Sequence, residues 1–430
     1  MSKSAGPLVD KGVGPIARRE SRLAYTMILP TVAIVMAIVL LPLAANIWIS
    51  FKPVGIADLR PPALLANERL RGDLEAAGDE ATIQYRLRNS SRDAALSDTT
   101  LTDTLPEGLE PIDLDSRCTL EGGSLSCALG AFDPGARGEL EIRVRAAEAY
   151  LANPINPRDS DALTTVRAPN VLTNLAFSLE NYRAVFDGEE FMQVLWVTIF
   201  YTLFGTLGAI VLGVIAAQLL NRDFRGRSIL RGLYLFPYVA PVIAMAFTWL
   251  VLFDPFSGTI NAMIQAMGVA GEPVNFFGAR MVPVSIFGLE FGFPLALAMV
   301  IAFEAWRYFP LSFLFILARM QSIPTDMYEA ADMDGATPFQ KFFRLSMPQI
   351  VGILAVLFLL RFIWTFNKFD DIFLLTGGAA GTRTLTVDVY YQGFAIGNLG
   401  AGAAVAVVIF VMLLIFALLY FRALPKGEGL

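Results

Sequence analysis

The chain lacks histidine altogether and has only two cysteines, Cys118 and Cys127. Histidine-based catalysis and the common zinc sites are therefore excluded, and we predict neither a catalytic residue nor a metal site. A Gly-Lys dipeptide is also absent, so the chain has no phosphate-binding loop of the GxxxxGK(S/T) type. Any ATP hydrolysis linked to this protein has to take place in a partner, and we expect no cofactor in the chain itself.

Charged residues are scarce as well: 17% of the 430 residues are charged and 55% are hydrophobic. Soluble proteins are about a quarter charged, so this composition is typical of an integral membrane protein. Acidic residues concentrate in one segment, from about Asp58 to Glu190, which indicates a separate soluble domain. The sequence has no basic patch that would favour nucleic acid as a partner.

Six apolar segments are long enough to cross a bilayer as helices, which takes about 20 residues. They run over residues 24–50, 191–220, 229–253, 293–318, 350–375 and 402–421. The first resembles a signal peptide in its position. Its apolar core is too long for one and no small-residue cleavage pattern follows it, so we expect an uncleaved span.

Lysine and arginine in the short connections indicate the orientation, because cytoplasmic loops carry an excess of both. The basic residues on one side are Lys11, Arg18, Arg19, Arg22, Arg222, Arg225, Arg227, Arg319, Lys341, Arg344, Arg422 and Lys426. The connections on the other side carry only Arg280 and Arg383. We expect a multi-pass protein of the bacterial inner membrane, with both termini in the cytoplasm and the segment 52–190 in the periplasm.

The outer segment has the pattern of β-strands. The stretches "ATIQYRLR" and "ELEIRVRA" alternate apolar and polar residues with the period of two that is typical of half-buried strands. The apolar positions are Ile83, Tyr85, Leu87, Leu140, Ile142 and Val144. We predict a β-sandwich, and the run "NSSRDAALSDTTLTDTLPEGLEPI" resembles the immunoglobulin-like repeats of bacterial surface proteins.

The stretch "CTLEGGSLSC" predicts a hairpin with a disulfide across it. Gly122 and Gly123 suit the two positive-φ positions of a tight turn, and counting outward from this turn places Cys118 opposite Cys127. This is a non-hydrogen-bonded pair, in which the Cα atoms come within bridging distance, and the compartment is oxidising. We predict a Cys118–Cys127 disulfide; the alternative is two free buried thiols.

The charged segment "PTDMYEAADMDGATPFQKFFRLSMP" lies between two apolar spans. We predict a helix that starts at Pro324 and ends at Gly335 in the left-handed conformation. Thr337 and Gln340 then have the spacing of a capping box, so a second helix follows, and it stops before Pro348. The expected result is a glycine elbow between two helices on the cytoplasmic face. The alternative is an amphipathic loop packed on the membrane surface.

This segment resembles the EAA signature of ABC-importer permeases, in which EAA and three further residues precede a glycine, and an apolar pair with a proline follows. The residues that fill the signature are Glu329, Ala330, Ala331, Gly335, Leu345, Met347 and Pro348. In that family the elbow inserts into a groove of the ATP-hydrolysing subunit. The resemblance implies that coupling to the ATPase involves Glu329, Ala330, Ala331, Asp334 and Gly335.

Two further stretches are similar to the carbohydrate-importer branch of this family, which includes the maltose and glycerol-phosphate permeases. They are "FRGRSILRGLYLFPYVAPVIAMAFTWLVLFDPFSGTIN" and "FNKFDDIFLLTGGAAGTRTLTVDVYYQGF". The resemblance covers the chain from about Phe191 onward. It places the β-rich segment between the first two spans, where the larger maltose permease carries its periplasmic domain.

The resemblance implies an all-α polytopic membrane protein, a type I ABC importer permease with six transmembrane helices and an inserted periplasmic β-sandwich. The expected divisions are a cytoplasmic segment 1–23, a first span 24–51, the outer domain 52–190, a permease core 191–423 and, within it, the coupling segment 319–349. The implied partners are an ATP-binding subunit dimer that binds ATP and Mg²⁺, a second homologous permease, a periplasmic substrate-binding protein and membrane lipid.

The implied function is import of a sugar or sugar derivative by alternating access, driven by ATP hydrolysis in the partner subunits. A permease for glycerol-phosphate-type esters is an alternative within the family. A membrane-anchored sensor or adhesion protein, whose outer β-domain is the functional part, is an alternative outside it. Within the transporter, the outer domain either contacts the binding protein or covers the mouth of the permease, or it is a tolerated insertion.

The fifth span, "LLRFIWTFNKFDD", carries ionisable residues on one helical face. The residues of this face are Arg361, Trp364, Thr365 and Lys368. Ionisable groups at this depth are costly, so they line a cavity or pair with one another. Resemblance to the maltose importer implies that this face, together with Asn367, binds substrate. The alternatives are a structural ion pair, with Glu304 or Asp370 as the counter-charge, and residues near the membrane surface that reach to the headgroups.

Overall fold

The computed structural model describes residues 15–91, 94–156, 162–168, 170–269, 271–286 and 289–423. Lys11, Lys426 and the first 14 residues of the predicted cytoplasmic segment lie outside the described residues. The chain divides into two compact units. The membrane unit comprises Met1–Phe51, Tyr182–Tyr390 and Gly402–Leu430, and the β unit comprises Lys52–Asn181 with Tyr391–Ala401.

The helices alternate between long apolar elements and short connecting ones. They are α1 Pro15–Val35, α2 Leu41–Ser50, α3 Glu148–Ala152, α4 Glu180–Phe186, α5 Phe191–Leu220, α6 Arg227–Tyr234, α7 Phe236–Val239, α8 Val242–Leu252, α9 Thr259–Ala266, α10 Leu295–Gln321, α11 Thr325–Met333, α12 Pro338–Lys341, α13 Met347–Phe366, α14 Asp370–Thr376, α15 Leu385–Tyr390 and α16 Leu399–Ala423. A π turn, Met36–Leu40, joins α1 to α2, and another, Phe342–Ser346, joins α12 to α13.

Within the described residues, five continuous helices are long and apolar enough to cross a membrane. They are Arg22–Ser50, Phe191–Leu220, Leu295–Gln321, Pro338–Phe366 and Leu399–Ala423. The predicted span over 229–253 is a bent pair of helices, Arg227–Val239 and Val242–Leu252, which meet at 92° and count as a sixth candidate span if the pair crosses the membrane as one. Pro241 explains the bend: it has no amide hydrogen, and it holds Ala240 in an extended conformation at φ −63°, ψ 144°.

The predicted stop before Pro348 is wrong, and the fifth span predicted over 350–375 is present with different ends. A single helix runs from Pro338 to Phe366. The π turn before Pro348 widens the helix, with the Met347 amide donating to the Phe342 carbonyl, so the proline ring avoids the turn that it would otherwise disrupt. The helix ends at Phe366 because the Asn367 side chain donates to the Ile363 carbonyl at 2.9 Å, in competition with the backbone.

The β unit contains two antiparallel four-stranded sheets. The strands are β1 Leu64–Arg71, β2 Glu80–Asn89, β3 Leu96–Thr104, β4 Leu109–Asp113, β5 Cys118–Glu121, β6 Ser124–Phe132, β7 Arg137–Ala146 and β8 Leu163–Arg167. One sheet has the order β1-β2-β7-β4 and the other β5-β6-β3-β8. The membrane unit has its own hairpin, β9 Val282–Ile286 with β10 Leu289–Phe293.

Both sheets contribute to one hydrophobic cluster, with Tyr85 and Ile142 from the first and Leu101 and Leu125 from the second. The six apolar positions predicted from the period-two pattern are all buried. The Tyr85 hydroxyl donates to Asp103 at 2.5 Å, which links β2 in one sheet to β3 in the other. The alternation in the sequence thus identified the strands and the side that forms the core.

The predicted hairpin is confirmed. Gly122 and Gly123 have φ values of 58° and 86°, and the register pairs Cys118 with Cys127. Their Cα atoms are 4.0 Å apart and their sulfur atoms are bonded. Two glycines at the turn are sufficient to fix the register, since each residue counted outward has one partner.

Candidate functional site

The glycine elbow has the helix ending that the sequence predicts. The helix α11 ends in a Schellman motif around Gly335, whose φ is +73°. The Gly335 amide donates to the Asp332 carbonyl at 3.0 Å, and the Ala336 amide donates to the Ala331 carbonyl at 2.9 Å. A Cβ built on Gly335 meets no described atom within 4 Å, so glycine is required there by the positive φ alone.

The second helix begins at the predicted capping box. The Gln340 amide donates to the Thr337 hydroxyl at 3.3 Å, and the Thr337 amide donates to the Gln340 side chain at 2.8 Å. The elbow is therefore held at both ends by backbone geometry.

The surface of the elbow carries two apolar side chains that are largely exposed in the described chain. Met333 is 89% exposed and Phe339 is 71% exposed. The predicted coupling residues lie beside them, with Glu329, Ala330 and Asp334 exposed and Ala331 half-buried. Exposed apolar side chains among acidic residues are typical of a protein-protein contact surface.

A second candidate site is a cluster of charges between three spans. Glu304 on α10 is fully buried and accepts hydrogen bonds from three side chains. The donors are Arg361 Nη2 at 2.6 Å and Thr365 Oγ1 at 2.9 Å on α13, and the Tyr201 hydroxyl at 3.2 Å on α5. A Cβ on Gly205 would lie 2.9 Å from Glu304 Cγ, so this glycine leaves the space that the carboxylate side chain occupies.

The cluster continues around Tyr308. Lys368 donates to the Tyr308 hydroxyl, and the Arg361 guanidinium lies 4.6 Å from the centre of its ring. Asp371, which is fully buried, lies 3.9 Å from Arg307 Nε and 4.0 Å from Lys368 Nζ. Among the described residues, neither carboxylate oxygen of Asp371 accepts a hydrogen bond. The nearest described cationic nitrogens thus lie beyond hydrogen-bond distance of this carboxyl group.

The structure brings together three of the five predicted substrate residues and separates the other two. Arg361, Thr365 and Lys368 face α10, whereas Trp364 is 51% exposed and Asn367 is exposed at the helix end. On a helix with 3.6 residues per turn, Trp364 lies about 60° from Arg361 and about 100° from Thr365. It therefore falls at the edge of the charged face.

Both predicted counter-charges are present. Glu304 binds Arg361, and Asp370 lies 3.7 Å from Lys368. Sequence reasoning missed four members of the cluster, namely Tyr201, Arg307, Tyr308 and Asp371. Arg307 had a usable signal, because it is a charged residue within an apolar span. The tyrosines had none, since their hydroxyls look alike in the sequence whether they meet lipid or a carboxylate.

Long apolar helices around buried charges, with a polar elbow between two of them, define a multi-pass membrane protein of the permease class. The chain belongs to the family of binding-protein-dependent transport system inner membrane components, whose sequence model matches residues 209–426. The apolar spans and this membership make it a multi-pass protein of the inner membrane.

The match with this chain extends over most of the length of two curated relatives. The inner membrane ABC transporter permease protein YcjO of Escherichia coli (strain K12) is 34% identical over 252 residues, which are 58% of this chain and 80% of that protein. The trehalose/maltose transport system permease protein MalF of Thermococcus litoralis is 33% identical over 245 residues, which are 57% of this chain and 78% of that protein.

A solved structure shares the fold. It is the crystal structure of a bacterial ABC transporter involved in the import of the acidic polysaccharide alginate, one chain of which matches with a TM-score of 0.50 at 20% identity. The match covers 58% of this chain and 86% of that chain.

Proposed function

We propose that this chain is the permease subunit of an ABC importer that moves a sugar or sugar derivative into the cytoplasm by alternating access. The observation that carries the proposal is the elbow, an exposed turn with Met333 and Phe339 largely exposed at its surface. The carbohydrate relatives support the substrate class. The partners are an ATPase dimer, which binds ATP and Mg²⁺, a second permease and a periplasmic binding protein.

The elbow transmits movement from the ATPase to the spans through Glu329, Ala330, Ala331, Asp334 and Gly335. The test is a pair of substitutions at Gly335, where an added side chain has free space and only φ matters. Gly335→Val should strain the turn by about 1–2 kcal/mol, because left-handed backbone is costly for β-branched residues. Gly335→Asn should be tolerated, because asparagine adopts this conformation.

In proteoliposomes containing the whole complex, Gly335→Val should import substrate slowly and lose the stimulation of ATPase activity by the binding protein, while Gly335→Asn should retain both. Equal transport by the two variants would show that the elbow is not the coupling element. If no ATPase copurifies with the solubilised wild-type chain, a sensor or adhesion function gains support instead.

We further propose that Trp364 and Asn367 contact substrate, while Arg361, Thr365 and Lys368 position the helix that carries them. An indole half-exposed beside polar groups can stack on a pyranose ring, and a free amide oxygen can accept a sugar hydroxyl. Trp364→Ala should abolish or sharply reduce uptake with intact assembly and basal ATPase activity, and Trp364→Phe should retain part of it. Unchanged uptake kinetics in Trp364→Ala would place the substrate site on the partner permease.

The β unit is proposed to be a periplasmic sandwich that contacts the binding protein. Its position in the chain after the first span and its own disulfide support this assignment. Deletion of about residues 61–170 with a short linker should weaken the affinity for the binding protein and slow uptake. A deletion variant with wild-type affinity and uptake would make the unit a tolerated insertion.

A further inference from the structure

A cavity of about 350 Å³ lies in the membrane unit where the elbow meets the ends of the spans. Six polar side chains line it: Gln218, Asn221, Arg222, Tyr328, Lys341 and Ser346. The first three follow or end α5, Tyr328 is on α11, and Lys341 ends α12. The cavity therefore has one wall on a membrane span and the other on the elbow.

The lining is rich in hydrogen-bond donors. Arg222 and Lys341 supply two positive charges, and none of the described lining residues is acidic. Among the described residues no carboxylate lies within 4.0 Å of the Arg222 guanidinium, while Lys341 is paired with Asp332. The chemistry favours an anionic ligand, because arginine and lysine bind phosphate oxygens through charge-assisted hydrogen bonds.

The neutral groups favour a ligand that also carries hydroxyls. The Tyr328 and Ser346 hydroxyls lie 2.8 Å apart, and since only one proton can fill that hydrogen bond, the other remains available to a ligand. The buried carboxamide oxygen of Gln218 has no hydrogen-bond partner among the described residues. A bound hydroxyl would satisfy it.

The cavity is larger than a bare ion needs, so its volume favours a larger ligand. At about 30 Å³ per water molecule, the cavity has room for roughly eleven waters, and it lies at the lower end of the size range of ligand pockets. Inorganic phosphate would fill only a small part of it. A phosphate ester with a small hydroxylated body would occupy both the cationic and the neutral parts.

We propose that this cavity binds the phosphate group of a small hydroxylated phosphate ester, supplied either by a soluble metabolite or by a lipid headgroup. A ligand held between the two walls would fix the elbow against α5. This regulatory consequence rests on the proposed coupling function, because ligand binding can shift an equilibrium only toward the conformation that it binds more tightly. Occupied protein should then couple to its ATPase less well.

Three substitutions in full-length protein test binding directly, with glucose 6-phosphate as the soluble probe and isothermal titration as the readout. Arg222→Gln should weaken binding about tenfold or more, because one charge-assisted hydrogen bond contributes a factor of that order. Asp332→Asn should strengthen binding, since it releases Lys341 from its ion pair. Arg225→Gln is the matched control on the same exposed loop, outside the lining, and should leave binding unchanged.

The source of the phosphate is distinguished by the membrane. In nanodiscs of phosphatidylcholine alone, glucose 6-phosphate should bind; if a headgroup is the ligand, 30% phosphatidylglycerol should compete with it in wild type and not in Arg222→Gln. Absence of glucose 6-phosphate binding in phosphatidylcholine nanodiscs would overturn the proposal, as would equal weakening by Arg222→Gln and Arg225→Gln. These readouts do not involve transport, so failure of the Gly335 test would leave them intact.

Discussion

The two units place ion pairs of nearly the same length in opposite surroundings. In the β unit, Arg145 and Glu80 are 2.7 Å apart with side chains 52% and 41% exposed. In the membrane unit, Arg361 and Glu304 are 2.6 Å apart with side chains 2% and 0% exposed. Water screens the first pair, so it contributes little to stability, whereas the second pair cannot lose one partner without leaving a buried charge. Distance alone therefore says little about how much an ion pair matters.

Removal of one partner of the buried Arg361–Glu304 pair should have the largest effect on stability. Glu304→Ala leaves Arg361 charged within the bundle and should lower the free energy of unfolding of the membrane unit by about 3–5 kcal/mol. All five tryptophans lie outside residues 52–181, so tryptophan fluorescence during thermal unfolding in detergent reports this unit alone. The matched control is Glu304→Leu with Arg361→Leu, which should recover most of the loss. Equal instability of both variants would refute the ion-pair explanation.

Loss of the disulfide should have the next largest effect, confined to the other unit. Replacement of Cys118 and Cys127 by alanine should lower the stability of the β unit by about 2–4 kcal/mol, because the unfolded hairpin gains conformational freedom. Hydrogen exchange of peptides from β5 and β6 should accelerate, with an unchanged tryptophan melt. The same double change at Thr119 and Ser126, the next pair in the hairpin, is the control and should have little effect. A shift in the tryptophan melt would show that the two units unfold together.

The contact between α5 and α10 offers a sharper test of how the membrane unit packs. A Cβ on Gly213 would lie 2.7 Å from Ser312 Cβ and 2.9 Å from the Phe313 amide nitrogen, and backbone cannot move aside easily. Gly213→Ala should therefore destabilise the unit by about 1–3 kcal/mol. Gly352→Ala in α13 is the control: no described atom lies within 4 Å of its Cβ, so alanine should stabilise the helix by about 0.5–1 kcal/mol. If Gly213→Ala and Gly352→Ala changed the stability alike, this would argue against close contact between α5 and α10.

The smallest expected effect is the acid response of an exposed pair in the β unit. Hydrogen bonds from the Arg117 side chain and from its backbone amide lower the pKa of Asp115 from its ordinary 3.8 to about 2. Because the folded pKa is the lower one, the stabilisation is present above pH 3.8 and is lost as the pH falls toward 2. Arg117→Gln should flatten this part of the pH dependence, as measured by hydrogen exchange of the β5 peptide after acid pulses. An unchanged profile would show that the pair contributes nothing.

Sequence reasoning succeeded where a local rule decides the structure. The period of two identified β2 and β7, two glycines fixed the hairpin register, and the capping box at Thr337 identified the start of α12. Each of these depends on residues that are close in the sequence. The glycine elbow belongs with them, because φ at Gly335 follows from a short helix ending.

The bend and the continuous helix could not be predicted from the sequence, because an apolar composition does not indicate the backbone geometry. The stretch over 229–253 is apolar throughout, and length alone does not show that Pro241 turns it by 92°. Pro348 has the opposite outcome, since a π turn absorbs it and the helix continues. The charge cluster was only partly predictable: Glu304 was named as a counter-charge for Arg361, but its hydrogen bond with Tyr201 depends on the packing of α5 against α10.

The bend at Pro241 and the buried Arg307 depend on each other. A broken helix in hydrocarbon exposes carbonyl groups that no water can satisfy, and Arg307 Nη1 donates to the Ala240 carbonyl at 3.3 Å. A straight helix would leave the guanidinium without this acceptor, and a neutral side chain at 307 would leave the carbonyl without this donor. A substitution at either site therefore removes one partner of the Arg307–Ala240 hydrogen bond and leaves the other polar group without it.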